Sequence, residues 1–131
     1  MSRTIVNNMK LSNIFLKHWL LFNYDTSKSV TFLPPHYIFS IKDSIHYQAL
    51  KSNDFCDYEK YISTTNQKEH SVSTFKKLNE FFDLKIMEPI LLKNNKRLGK
   101  FLVEDGCHRL SIILYKNIFS EELPDKYIRY E

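Results

Sequence analysis

Apolar and polar positions along the chain change period several times, and each change marks an element. Near the N-terminus Leu11, Ile14, Phe15, Trp19 and Phe22 recur at spacings of three, one, four and three, which predicts an amphipathic helix within residues 1–24. Lys10, Lys17 and His18 interrupt its apolar face well short of the ~20 residues a membrane span needs. No small-residue cleavage site of a secretory leader follows. The apolar face is therefore expected to pack on a core or on a partner helix, and it offers a surface through which copies of the chain could associate. After the polar break at 25–29, Val30-Thr31-Phe32-Leu33 followed by Pro34-Pro35 predicts a strand and its end, with His36 in a loop. Ser44 can cap a helix carrying Ile45, Ala49 and Leu50, and a second short helix is predicted over 57–62. A polar loop over 63–73 leads to a clearer helix, capped by Ser71 or Ser73, with Phe75, Leu78 and Phe82 on one face.

Past Asp83 the period shortens. Residues 86–92, interrupted by Pro89, predict an edge or irregular strand, because proline removes one ladder donor. Lys93-Asn94-Asn95-Lys96-Arg97 has turn composition, and residues 100–104 read as the return strand of a hairpin. Leu110, Ile113 and Leu114 then predict a short helix over 108–116, starting directly after Glu104-Asp105-Gly106. Tyr127, Ile128 and Tyr130 suggest a last strand. Strands interleaved with helices predict an α/β fold in a single domain over 1–131, with the N-terminal helix (1–24) added to a core at 30–131 and the two short helices inserted before the hairpin.

Composition narrows the function. Gly99 and Gly106 are the only glycines and stand seven apart, so neither a G-x-G-x-x-G nor a Walker A loop can be written. Cys56 and Cys107 are too few for a disulfide scaffold or a four-cysteine zinc site, and a reducing cytoplasm is the default compartment. Net charge is +4, but only four of the 19 basic residues are arginine, which argues against a nucleic-acid reader. No His pair at i, i+4 with a Glu suggests zinc. Lys93, Lys96, Arg97 and Lys100 surround the hairpin turn, where charge normally protects an exposed tip; contact with an acidic partner or phosphate is the functional alternative.

Chemistry concentrates at Asp105-Gly106-Cys107-His108-Arg109. A glycine between a strand end and a helix start leaves up to four backbone N–H groups without intrahelical partners, which makes an anion site. Gly106 permits positive φ or close backbone approach, while His108 and Arg109 add side-chain donors that the macrodipole disfavours at a helix start unless an anion compensates. The same five residues also make an ordinary helix start, with Asp105 as cap and His108 and Arg109 solvated or bonded to Glu104. Farther back, His46, Tyr47, Tyr58 and Tyr61 form a cluster of polar aromatics suited to half-buried packing or to lining an acceptor pocket above the glycine turn.

The order of a helix over 73–82, Pro89-Ile90, a basic hairpin and then Asp105-Gly106-Cys107-His108-Arg109 resembles the core of the ParB/sulfiredoxin superfamily over about 60 residues. Leu92 stands where that family's "P-I-x-V" words end in valine. The resemblance implies a small mixed sheet with flanking helices whose box, Gly106, Cys107, His108 and Arg109, binds nucleotide phosphates. Three branches stay open. In the free-serine kinases the box is D-G-x-H-R, which Asp105, Gly106, His108 and Arg109 match. There ATP or ADP with Mg2+ donates a phosphoryl group to a small hydroxylated metabolite, Asp105 or Glu104 would hold the metal or take the proton, and His46 and Tyr47 are candidate acceptor contacts. Asp43, His46 and Glu59 are candidates for a further upstream acid or base. In sulfiredoxins the box is G-G-C-H-R and its cysteine, here Cys107, attacks a phosphorylated sulfinic acid; a helix start beside His and Arg would lower its pKa, whereas Asp105 would raise it. ParB proteins read DNA with a helix-turn-helix domain after the box, and only 22 residues follow Arg109. A nucleotide-dependent small-molecule kinase is the favoured expectation, a Cys107 sulfinic acid reductase the second, and a nucleotide-sensing or partner-binding module the third.

Overall fold

A computed structural model of the 131-residue chain describes residues 8–19 and 24–131. In chain order these form β1 (Met9–Lys10), β2 (Ile14–Trp19), β3 (Thr31–Leu33), β4 (His36–Ser40), α1 (Ile45–Ser52), α2 (Cys56–Thr64), α3 (Val72–Glu80), β5 (Ile90–Asn95), β6 (Lys100–Asp105), α4 (Cys107–Tyr115), β7 (Glu122–Leu123) and β8 (Ile128–Tyr130). The result is an α/β fold. Its main sheet runs β3-β4-β2-β6-β5-β8, with β2 parallel to β6 and β5 parallel to β8, while β1 and β7 make a separate two-stranded ladder.

Among the described residues the expected N-terminal helix is replaced by strand. Ile14, Leu16 and His18 are buried at every second position and Trp19 is exposed, the period of a strand. β2 takes ladder partners on both sides, antiparallel to β4 and parallel to β6. Two tertiary ladders outweigh a local helical spacing that Lys17 and His18 had already broken. Residues 9–19 thus belong to the core rather than to an appendage, and association of copies through a helix at 1–24 loses its element. The other part of that reading, residues 1–7 and 20–23 with Phe22, lies outside the described residues.

Two further expectations change. His36 is in β4, paired back onto β3 across Pro34-Pro35, rather than in a loop. Strand β5 is interior, between β6 and β8, because Pro89 lies just before Ile90 and so removes no ladder donor. The helices follow their caps: Ser44 Oγ accepts from the Tyr47 amide and Ser71 Oγ from the Thr74 amide. Helix α4 joins two apolar clusters. Leu110 and Ile113 pack with Ile14, Leu16, Ile90, Leu92 and Val103 of the sheet. Ile112 packs with Ile45, Ala49, Tyr58, Ile62 and Phe75 from α1, α2 and α3. Among the described residues no helix is long and apolar enough to cross a membrane.

Candidate functional site

Strands β2 and β6 are parallel and end on Trp19 and Asp105, and a cavity of about 520 Å³ opens at those carboxyl ends. That is where ligands enter open α/β sheets. Gly106 bridges β6 to α4 with φ +114°, in the region that favours glycine. A Cβ at this position would stand 2.8 Å from Ile90 Cδ1 and 3.2 Å from an Arg109 guanidinium nitrogen. Gly106 is itself the N-cap, and among the described residues no side chain caps α4. The first amides of the helix, from Cys107 to Arg109, therefore face the glycine turn with no capping side chain.

The fixed charges around the cavity are paired off. Lys17 Nζ meets Glu104 Oε1 at 3.0 Å across β2 and β6. Arg109 Nη2 meets Asp105 Oδ2 at 3.2 Å, while its Nη1 donates to the carbonyls of Glu88 at 2.6 Å and Pro89 at 3.2 Å. Asp105 is therefore the partner of Arg109 and not the cap. Arg109 braces the segment entering β5 as well as lining the cavity. With two cations matched by two carboxylates among the described lining residues, attraction for an anion falls to the helix-start amides.

Four of the chain's five histidines, His36, His46, His70 and His108, line this one cavity, and His18 packs against His46 with ring centroids 5.7 Å apart. The Tyr58 hydroxyl donates to the His70 carbonyl, which spends its one proton. It must then accept from His108 Nε2–H at 2.7 Å, and this fixes the His108 tautomer. Burial, with His70 and Arg109 close by, pushes the His108 pKa down to about 3. His108 is accordingly a neutral ring and supplies no positive charge to a ligand. His46 is 4% exposed, edge-on to His108 at 4.5 Å, and held well below the usual imidazole pKa by burial and then by the neighbouring rings His108, His18 and His70. Its Nδ1 has no hydrogen-bond partner among the described residues. Replacing Tyr58 by Phe would strip both His108 Nε2 and the His70 carbonyl of their partner, with an expected loss of about 1 to 3 kcal/mol in denaturant unfolding. A Tyr58→Phe variant as stable as the parent would show that this bridge is not made.

The structure brings Glu104, Asp105, Gly106, Cys107, His108, Arg109 and His46 to one cavity, with Tyr58 and Tyr61 on its wall. Tyr47 lies elsewhere, packed against the cluster between α4 and the sheet. Asp43 accepts from the Ser40 hydroxyl at 3.2 Å, and Glu59 is exposed on α2; neither lines the cavity. The Cys107 thiol does not have the lowered pKa expected of a reactive helix-start cysteine. Burial pushes it up to about 12, Asp105 adds to the rise, and Lys17 and Arg109 only partly oppose it. Among the described residues no three His, Cys, Asp or Glu side chains are grouped to hold a metal ion. Sequence reasoning missed Trp19, His36 and His70 as cavity residues, since only the pairing of β2 with β4 and the stacking of His70 on His108 bring them there. Searches of known protein-family models, of curated proteins and of solved structures find no match to this chain.

Proposed function

We propose that this domain binds an adenine nucleotide with its phosphates on the start of α4 and transfers the terminal phosphoryl group to a small hydroxylated metabolite. The observation that carries the reading is the uncapped helix start after a positive-φ glycine, opening into a cavity whose lining includes His46, a ring with a buried Nδ1 that has no hydrogen-bond partner among the described residues. The D-G-x-H-R lettering of Asp105, Gly106, His108 and Arg109, which resembles the phosphate box of ParB/sulfiredoxin-type kinases, adds to it.

Phosphoryl transfer asks mainly for positioning and charge neutralisation. The amides of Cys107 to Arg109 would hold the phosphates. His46, neutral at physiological pH, would accept a hydrogen bond from the acceptor hydroxyl or donate one to a phosphate oxygen, and so orient it. The acceptor oxygen bonds to the γ-phosphorus, the bond from that phosphorus to the bridging oxygen breaks, and ADP leaves with its electron pair. The hydroxyl proton passes to the carboxylate of Glu104 or Asp105. The described residues make no protein-only metal site. Mg2+ arriving with the nucleotide would neutralise phosphate charge, and the carboxylate of Asp105, whose side chain is 71% exposed, or that of Glu104 would hold it.

Incubation with MgATP and pools of small alcohols and hydroxy acids, followed by phosphorus NMR, is expected to give ADP and a new phosphomonoester. Cys107→Ala keeps the amide that is in use and is expected to retain turnover within about twofold. Loss of all turnover in Cys107→Ala would favour a thiol mechanism. Tight nucleotide binding without any transfer would leave a nucleotide-sensing module.

A further inference from the structure

Trp19 is the chain's one tryptophan, and it closes β2 with 42% of its surface exposed while Ile14, Leu16 and His18 of the same strand are buried. Its register partner on β4 is His36, and the two rings lie 4.4 Å apart between centroids at 50°. The indole is thus braced from one side. The parallel ladder of β2 with β6 sets Phe15 opposite Leu102, the Lys17–Glu104 ion pair joins the two strands further along, and Trp19 and Gly106 line the same cavity at the strand ends. Both rings line the cavity onto which α4 opens. A second observation lies between shelf and box. His46, with its unpartnered Nδ1, sits 6.1 Å from the Tyr61 ring, whose hydroxyl accepts from the Trp19 amide at 3.4 Å, and 4.5 Å from His108.

We infer that the Trp19–His36 shelf takes the planar base of the nucleotide whose phosphates lie on the start of α4. The inference rests on the phosphate reading above and assigns the other half of the ligand. Every nucleobase has a π-face, so an aromatic shelf selects for a flat ring without fixing which base it is. His36 suits the task because burial, and then Lys17 nearby, lowers its pKa, so the ring is neutral at physiological pH.

The lone tryptophan makes the test direct. ADP titrated into the full chain is expected to quench Trp19 emission saturably, whereas pyrophosphate binds calorimetrically with little change in emission. Trp19→Ala is expected to weaken ADP by about tenfold or more and leave pyrophosphate within about twofold, with Trp19→Phe restoring most of the loss. His36→Ala, which leaves the indole in place, is expected to weaken ADP by a smaller factor and covers the case in which Trp19→Ala fails to fold. If ADP and pyrophosphate both bind while Trp19 emission stays constant and these variants bind ADP like the parent, the shelf is wrong and the phosphate site stands. If neither ligand binds, the phosphate reading falls and the shelf with it.

Discussion

Lowering the pH from 7 toward 4 is expected to unfold the protein along an unusually steep stability curve. Burial holds His18 and His108 down to about 3 and His46 well below its ordinary value of 6.5. In the unfolded chain all three take up protons as the pH falls through that ordinary value, while in the folded chain they stay neutral. The unfolded state then binds more protons, so stability is complete above pH ~6.5 and falls as the pH drops toward the depressed values. Three groups together give a slope of about 4 kcal/mol per pH unit below pH ~6. A domain with ~6 to 10 kcal/mol in reserve, within the usual range for a single domain, would be half unfolded at roughly pH 4 to 5. Urea unfolding at a series of pH values measures this slope, and His46→Leu is expected to reduce it to about 3 kcal/mol per unit. A stability that stays level between pH 6.5 and 5 would mean that the rings are solvated and the cavity wall is not the one described.

Gly106→Ala is expected to be the most damaging small substitution at the site. An alanine must adopt φ near +114° and set its Cβ 2.8 Å from Ile90 Cδ1 and 3.3 Å from Ile90 Cγ2, and Ile90 is fully buried. Backbone strain and overpacking each cost about 1 to 3 kcal/mol, so a loss of about 3 kcal/mol is expected, roughly a 10 °C fall in Tm. The same methyl also crowds Arg109 at 3.2 Å and tilts the helix start, so nucleotide binding should be lost even at temperatures where the variant is folded. Gly99 supplies the control. It too has positive φ, +66°, but a Cβ there meets nothing within 4 Å, so Gly99→Ala should cost only about 1 kcal/mol and leave binding intact. Equal thermal shifts for the two variants would contradict a special role for the turn.

What the chain discloses of itself in one dimension is mostly local. Ser44 and Ser71 mark their helices because capping is a property of a few neighbouring residues, and the β5–β6 hairpin is announced by turn residues between apolar runs. Strand β2 is hidden because its buried alternate position is taken by a histidine. His18 reads as polar in sequence, yet its Nε2 accepts from the Ile45 amide in the interior, which no periodicity can foresee. Strand β4 is hidden for a related reason, since Pro34-Pro35 marks an end without showing that His36 begins the return. The box itself is legible as a strand, a glycine and a helix start. Its electrostatics are not. Arg109 and His108 look like two cations awaiting an anion, but the first is spent on Asp105 and two carbonyls and the second is neutralised by burial. The hydrogen-bond partner of His108, Tyr58, lies 50 residues earlier in the chain.

The claim on which the rest stands is that the open amides at the start of α4 grip phosphate. Amide chemical shifts of uniformly nitrogen-labelled protein, followed by proton–nitrogen NMR during titration with ADP, report on those atoms directly. The largest shifts are expected at Cys107, His108 and Arg109, with the same three moving on titration with pyrophosphate alone. Shifts centred elsewhere on the fold, or none at millimolar ADP with and without Mg2+, would contradict it.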